Sequence, residues 1–376
     1  MLGIDGNYLF DCSIDSIKNF IEFDDEFIFT INEYAGNVLP DFELTFVSKT
    51  DTIMPFLHEG TLLKAKIGRT YNSLQDLALY VVSWDSAKHG ESHRVYKLNG
   101  FAAPLAYPCD YKMSSHKKMS AIEVVLATAK KTFKTVISNI DKSSDSQTWY
   151  QPYQSDREFI QKVMYRADLG TSFPSCAITL DGKFILKDIK KDLKNPAHDW
   201  KLIRNDVPKT EKDISFVGDA VITSNSGIIN KIIGYGFNLK SLFLDAETSV
   251  AAVIKAESVM ANSSKVGGIS GVNVKKMGGI TQTENVHVNY QKSFYHNLTQ
   301  LLNLSRVELH LSVDGRYYPF KPLDKVMLSE ADIDNSRLAA EYHSGLYYIS
   351  YISRTIQSRH MITTLKINRE SVNQVK

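Results

Sequence analysis

The chain has 376 residues, 43% of them hydrophobic and 23% charged, with a formal net charge of +2. Those values exclude a disordered chain, and the lack of any apolar run of about 18 residues excludes a helical membrane span. Dedicated nucleic-acid binders carry a strong basic excess, which is absent here. Tyr and Phe are plentiful, at 19 and 18, which favours half-buried strands and assembly surfaces. Cys12, Cys109 and Cys176 are odd in number and far apart, so neither a metal site nor a disulfide framework is expected. The N-terminus has no basic stretch followed by an apolar run, so no secretory signal is expected.

Residues 26–67 read as strands and turns. FIFTINEY alternates apolar and polar residues, AGNVLPD breaks the pattern, and DFELTFVS puts Phe42, Leu44 and Phe46 on one face. MPFLHEGTLLKAKIG adds a turn at Gly60 and a strand, and LALYVVSW and YKLNGFAAPL add two more. Short strands at regular spacing predict a small barrel or sandwich.

The period then becomes helical. Ser120 and Glu123 form a capping-box pair ahead of IEVVLATAKKTFKTVI, with Ile122, Val125, Leu126 and Ala129 at helical spacing. SSDS, residues 143–146, is a polar loop. Ser155 and Glu158 repeat the box, and Phe159, Ile160, Val163, Met164 and Ala167 form an apolar stripe. Arg157, Gln161, Lys162 and Arg166 fall on the opposite, solvated face, and Gly170 is placed as the left-handed cap. CAITLDGKFILKD predicts a hairpin at Asp181-Gly182.

ISFVGDAVITS and FNLKSLFLD return to strand patterns, and residues 248–261 predict a short helix. Ser263–Asn285 is rich in Gly and Ser and reads as a linker. SFYHNLTQLLNLS predicts a helix. VELHLSV alternates cleanly, a turn falls at Asp314-Gly315, and DKVMLS, LYYISYISRTI and MITTLKINR are strands.

No segment carries a specific chemical signature. Gly267–Gly279 lacks the GxxxxGK[ST] spacing of a phosphate loop and reads as a connector. His89 and His93 have the i, i+4 spacing of helical zinc ligands, but Gly90 lies between them, so a solvated hairpin tip is the better reading. Asp24, Asp25, Glu26, Asp51, Glu59, Asp332 and Asp334 supply carboxylates without any pattern that pairs them. Neither a GxSxG nor a Cys-His signature is present. Trp149, Tyr150 and Tyr153 have the chemistry to stack on a sugar or a base, but packing ahead of a helix is the commoner use. The expected site therefore has no catalytic, cofactor-binding or metal-binding residue.

Four segments, in this order, resemble the phage tail baseplate hub family: the myovirus tail hub, the late-control protein D group and the hub part of VgrG. VLPDFELTFVSKTDTIMPFLHEGTLLKAKIG is similar to first-barrel strands, and MSAIEVVLATAK to the short helix that follows them. YQSDREFIQKVMYRADL is similar to the family helix, with Gln154, Ser155, Asp156, Phe159 and Ile160 at matching places. VELHLSVDGRYYPFKPLDKVML and SGLYYISYISRTIQSRHMITTLKINRE are similar to the last barrel. Leu323 stands where a Gly is usual, Arg354 stands where a His is common, and nothing similar to the VgrG spike follows the second barrel.

The resemblance implies a mainly β chain with an α+β insert: two tandem hub-type β-barrel domains plus a small α/β domain. It divides the chain into a first barrel at 1–110, completed by 201–247, an inserted α/β domain at 111–200, a flexible connector at 248–290 and a second barrel at 291–376. It implies a homotrimer whose six barrels form a ring in the virion tail baseplate, assembled in the host cytoplasm. The implied partners are the tail-tube protein, a separate central spike protein and other baseplate proteins. The ring would pass DNA or cargo during genome ejection, with no specific nucleic-acid binding, no stable membrane insertion and no enzyme activity. The alternative is a tail-associated carbohydrate-binding or cell-wall-degrading module.

Overall fold

A computed structural model describes residues 8–14, 17, 20–21, 26–48, 53–90, 93–102, 104, 106–204, 210, 212–224, 232–238, 243–250, 293, 296–297, 300–301, 304, 307–313, 315–330, 344–357 and 360–369. The first sheet comprises β1 (Leu9–Ile14), β2 (Phe27–Tyr34), β3 (Asp41–Ser48), β4 (Leu62–Gly68), β5 (Gln75–His89) and β6 (His93–Phe101), in the order β1-β4-β5-β6-β3-β2. Its strands bury every second residue, as in Phe27, Phe29 and Ile31 of β2 and Phe42, Leu44 and Phe46 of β3. Across the face that this sheet buries, the Phe10 ring of β1 lies 5.9 Å from Phe27 and 4.8 Å from Phe29 of β2.

An α/β module follows: α1 (Ala106–Cys109), β7 (Tyr111–Met119), α2 (Ala121–Thr132), β8 (Thr135–Ser138), β9 (Gln147–Ser155), α3 (Asp156–Met164), β10 (Pro174–Ile178), β11 (Lys183–Asp188) and α4 (Ile189–Lys194). Both capping boxes form. Ser120 and Ser155 accept from the backbone N–H of Glu123 and Glu158, whose carboxylates accept in return from the serine N–H groups at 2.8 and 3.1 Å. Ser155→Ala should lower stability by about 1 kcal/mol, read as a shift in the urea midpoint.

The module also corrects several expectations. The first helix stops at Thr132, because Thr135–Ser138 leaves it to pair with β11 in parallel. The second helix stops at Met164 with Tyr165 as its cap, so Gly170, at φ 69°, belongs to the following turn. Arg166 is buried rather than solvated. β7 and β9 form a two-stranded ribbon that the apolar period had not marked. The hairpin of β10 and β11 turns at Asp181-Gly182, where Gly182 takes φ 69°.

The remaining strands are β12 (Trp200–Arg204), β13 (Asp213–Ser224), β14 (Ile232–Asn238), β15 (Phe243–Val250), β16 (Val307–Val313), β17 (Lys325–Glu330), β18 (Gly345–Gln357) and β19 (His360–Arg369). Six of them close a barrel, β12-β13-β16-β19-β18-β17 and back to β12, with Leu309, Leu311, Ile349, Ile352, Leu365 and Ile367 among its core. Closure removes free sheet edges. β12 and β13 pair with β17 and β16, which corrects the expectation that residues 201–247 complete the first barrel. Alternation showed that these segments were strands but not which neighbours would take them. Among the described residues, β14 and β15 pair only with each other. Thr248–Val250 closes β15 instead of opening a helix, and the rest of the expected 248–261 helix lies outside the described residues, as does the Ser263–Asn285 linker.

β18 joins the two barrels. Residues 345–348 pair with β17, residues 351–357 pair with β2, and β19 runs along the opposite edge. A bulge at Ser350 marks the change of partner, and its carbonyl accepts from the Ala35 N–H at 2.8 Å. Across this seam the Tyr351 hydroxyl donates to Asn32 Oδ1 at 2.8 Å, and Asn32 Nδ2 and the Tyr34 hydroxyl each donate to Asp41 at 2.7 Å.

Candidate functional site

The features weighed from the sequence do not converge. His89 and His93 face each other across the end of the β5–β6 hairpin, with His89 exposed. Among the described residues no group of three or more His, Cys, Asp and Glu is placed to hold a metal. Gly267–Gly279, Asp24, Asp25, Asp51, Asp332 and Asp334 lie outside the described residues. Glu26 and Glu59 are exposed. Trp149 is buried and donates through Nε1 to the Met119 carbonyl at 3.1 Å, so it packs, whereas Tyr150 and Tyr153 are exposed. Burial pushes the Cys176 thiol up to about 12, which leaves it unreactive.

The chemistry that does converge lies where the three modules meet. Glu33 of β2 and Arg354 of β18 form an ion pair at 2.5 Å, with side-chain exposures of 2% and 1%. The second Glu33 oxygen accepts from the Leu180 N–H of the α/β hairpin at 3.0 Å. Arg354 also donates to the Phe320 carbonyl at 2.8 Å and lies over the Tyr317 ring, whose hydroxyl donates to Gln75 of β5 at 2.7 Å. Burial pushes the Glu33 carboxyl above the ordinary range, against the pull of Arg354. One carboxylate therefore touches both barrels and the insert. Both residues were visible in the sequence as charges at apolar positions: Glu33 continues the inward phase of Phe29 and Ile31, and Arg354 sits between Ile352 and Ile356.

Further bonds clamp the insert. On the first barrel, the Gly36 N–H donates to the Cys176 carbonyl at 2.6 Å, and the Asn37 side chain reaches the Arg157 carbonyl at 2.6 Å. On the second, Lys187 Nζ donates to the Leu323 carbonyl at 3.0 Å, and Lys325 Nζ donates to Asp192 O at 3.1 Å and Asn195 O at 3.2 Å. Leu323 takes φ 68° while fully buried, so the turn keeps a left-handed backbone where the resembled family has Gly. A cavity of about 60 Å³ lies at this junction, bordered by Gly36, Asn37, Met164, Cys176 and Asn297.

Asp324 supplies a pH dependence. Its carboxylate accepts from Trp200 Nε1 at 3.0 Å and from the Lys321 N–H at 2.9 Å. Burial pushes its carboxyl up to about 6, opposed by the Trp200 bond and aided by the nearby Asp199. The folded chain then holds this proton at pH values where the unfolded chain has lost it. The stabilisation is complete below about pH 4 and is lost as pH rises through about 6. Urea unfolding of wild type should lose on the order of 1–3 kcal/mol more across that window than Asp324→Asn does.

No protein-family model matches the sequence, and no curated protein matches it. Solved structures do. The tail protein from Neisseria meningitidis MC58 aligns at TM-score 0.57 and 10% identity over 97% of each chain. The 43 kDa tail protein of prophage MuSo2 from Shewanella oneidensis aligns at TM-score 0.57 and 12% identity over 96% of each chain. The E. coli c3393 protein, a type VI secretion component described as similar to the T4 tail proteins gp27 and gp5, aligns at TM-score 0.51 and 7% identity, over 97% of this chain and 79% of its own. Mostly β, with a closed six-stranded barrel and few helices, the chain shares the fold of these two tail proteins and of the type VI secretion component.

Proposed function

We propose that the chain is a structural tail hub: a homotrimer whose six barrels ring a central channel in the virion tail baseplate and join the tail tube to a separate spike protein. The observation that carries this reading is the shared strand β18, which fixes two barrels side by side at one geometry. Three such pairs close a ring of six without relying on a flexible hinge. The end-to-end likeness to a tail protein from Neisseria meningitidis and to a prophage tail protein from Shewanella oneidensis supports the same assignment. A net charge of +2 suits a channel that passes DNA without holding it. The protein's task on this reading is positional, and it has no enzyme activity.

The same reading divides the chain at residues 110 and 200, with 248–290 as a connector within the part that follows residue 200. Size-exclusion chromatography with light scattering tests it. One chain is 42.4 kDa, so three give about 127 kDa. A trimer alone, or a monomer that becomes one with its spike or tube partner, is the expected result. A monomer that stays at 42.4 kDa with both partners would remove the proposal.

A further inference from the structure

The β7–β9 ribbon has an inner face that is fully used and an outer face that is not. On the inner face, Trp149 and Gln151 are buried, the His116 ring stacks on Phe159 at 5.7 Å, and Gln151 Nε2 donates to Asp156 of α3 at 3.1 Å. On the outer face Tyr111, Met113, Tyr150 and Tyr153 are 48, 79, 48 and 70% exposed. The Tyr111 and Tyr153 rings lie 5.6 Å apart. Together these residues put on the order of 500 Å² into water, about the size of the largest, often functional, patch on an ordinary monomer.

Two bulges set this face. Met113 opposes both Pro152 and Tyr153, and Lys117 and Lys118 oppose Thr148. At each bulge a non-glycine residue is held in the left-handed region, Tyr153 at φ 49° and Lys118 at φ 52°. A backbone held there against its preference presents a tyrosine and a lysine outward from a rigid base. The edge of β7 away from β9 has no strand partner among the described residues, and none of its nine residues is buried.

Charge identifies the occupant. Lys117 and Lys118 are exposed. Lys112 is already neutralised by Asp110 at 3.2 Å and Asp156 at 2.9 Å. A second copy would bring the same lysines to the contact, and its carboxylates beside Lys112, Asp110 and Asp156, are already paired.

We propose that the outer edge and face of the β7–β9 ribbon accept an extended, acidic segment of another protein, which adds as a strand to β7 and sets alternate apolar residues on Tyr111, Met113 and Tyr153. Backbone bonds would supply affinity, and the aromatic face and lysines selectivity. This inference does not rest on the trimer.

The test uses the full chain and three labelled probes followed by fluorescence anisotropy: a nonapeptide alternating Val and Glu, one alternating Val and Lys, and a single-stranded oligothymidylate. The Val-Glu peptide is expected to bind saturably. Tyr153→Gly, which relaxes the backbone, and the pair Lys117→Glu/Lys118→Glu should each weaken it about tenfold or more, with circular dichroism unchanged. Absence of Val-Glu binding, equal binding of the Val-Lys peptide, binding of the oligonucleotide instead, or wild-type affinity in both variants would each overturn the proposal.

Discussion

Glu33→Gln is expected to destabilise the chain by about 3–5 kcal/mol. The loss comes from the partner left behind: Arg354 is 1% exposed and would keep its charge in an apolar junction with carbonyl acceptors only. Arg354→Met should cost a similar amount, because Glu33 would then be buried without a counter-charge. The double variant Glu33→Gln/Arg354→Met should be more stable than either single one, since neither charge remains to be desolvated. A urea double-mutant cycle measures this directly. Single variants within about 0.5 kcal/mol of wild type would show that the pair does not hold the junction. Hydrogen exchange gives a second reading, with faster exchange expected around Leu180, whose N–H rests on Glu33.

Gly100→Ala is expected to be at least as damaging, for a steric reason. A Cβ at Gly100 would lie 1.8 Å from the Tyr80 carbonyl oxygen and 2.8 Å from Phe42 Cε1. The first contact is backbone and cannot rotate away. It sits beside the bulge between Val81 and Ser83, where β5 changes which residues face inward, from Leu77 and Leu79 to Trp84. Relief requires β5 and β6 to separate or slip, and a one-residue slip turns the core face to solvent. The expected cost is about 3 kcal/mol or more. Gly60→Ala is the control. Gly60 has φ 84° with nothing within 4 Å of an added Cβ, so only backbone strain of about 1 kcal/mol is expected. Comparable urea midpoints for the two variants would show that the close approach at Gly100 is not restrictive.

Much of the fold was written locally in the sequence. FIFTINEY and DFELTFVS became β2 and β3 over those same residues, because a strand with one buried face must alternate. Ser120/Glu123 and Ser155/Glu158 announced both helix starts, since the box needs only four consecutive residues. Partners were not legible. β12 pairs in parallel with both β13 and β17, contacts between distant segments that no period encodes. β7 escaped notice because YKMSSHKKM has no apolar alternation, and β9 because Pro152 interrupts it at a bulge. The Glu33–Arg354 junction left a readable sign, a charge at an inward position in each of two apolar strands, but the pairing itself depends on β2 lying beside β18.

On the proposed function, β18 locks two barrels into one unit and three units make a ring. Cryo-electron microscopy of the purified protein, alone or with its spike partner, tests it most directly. The predicted result is a threefold particle whose ring contains six barrels around an open channel, with each pair bridged by one continuous strand at residues 345–357. Particles with twofold symmetry, or barrels within one chain that move independently of each other, would contradict it.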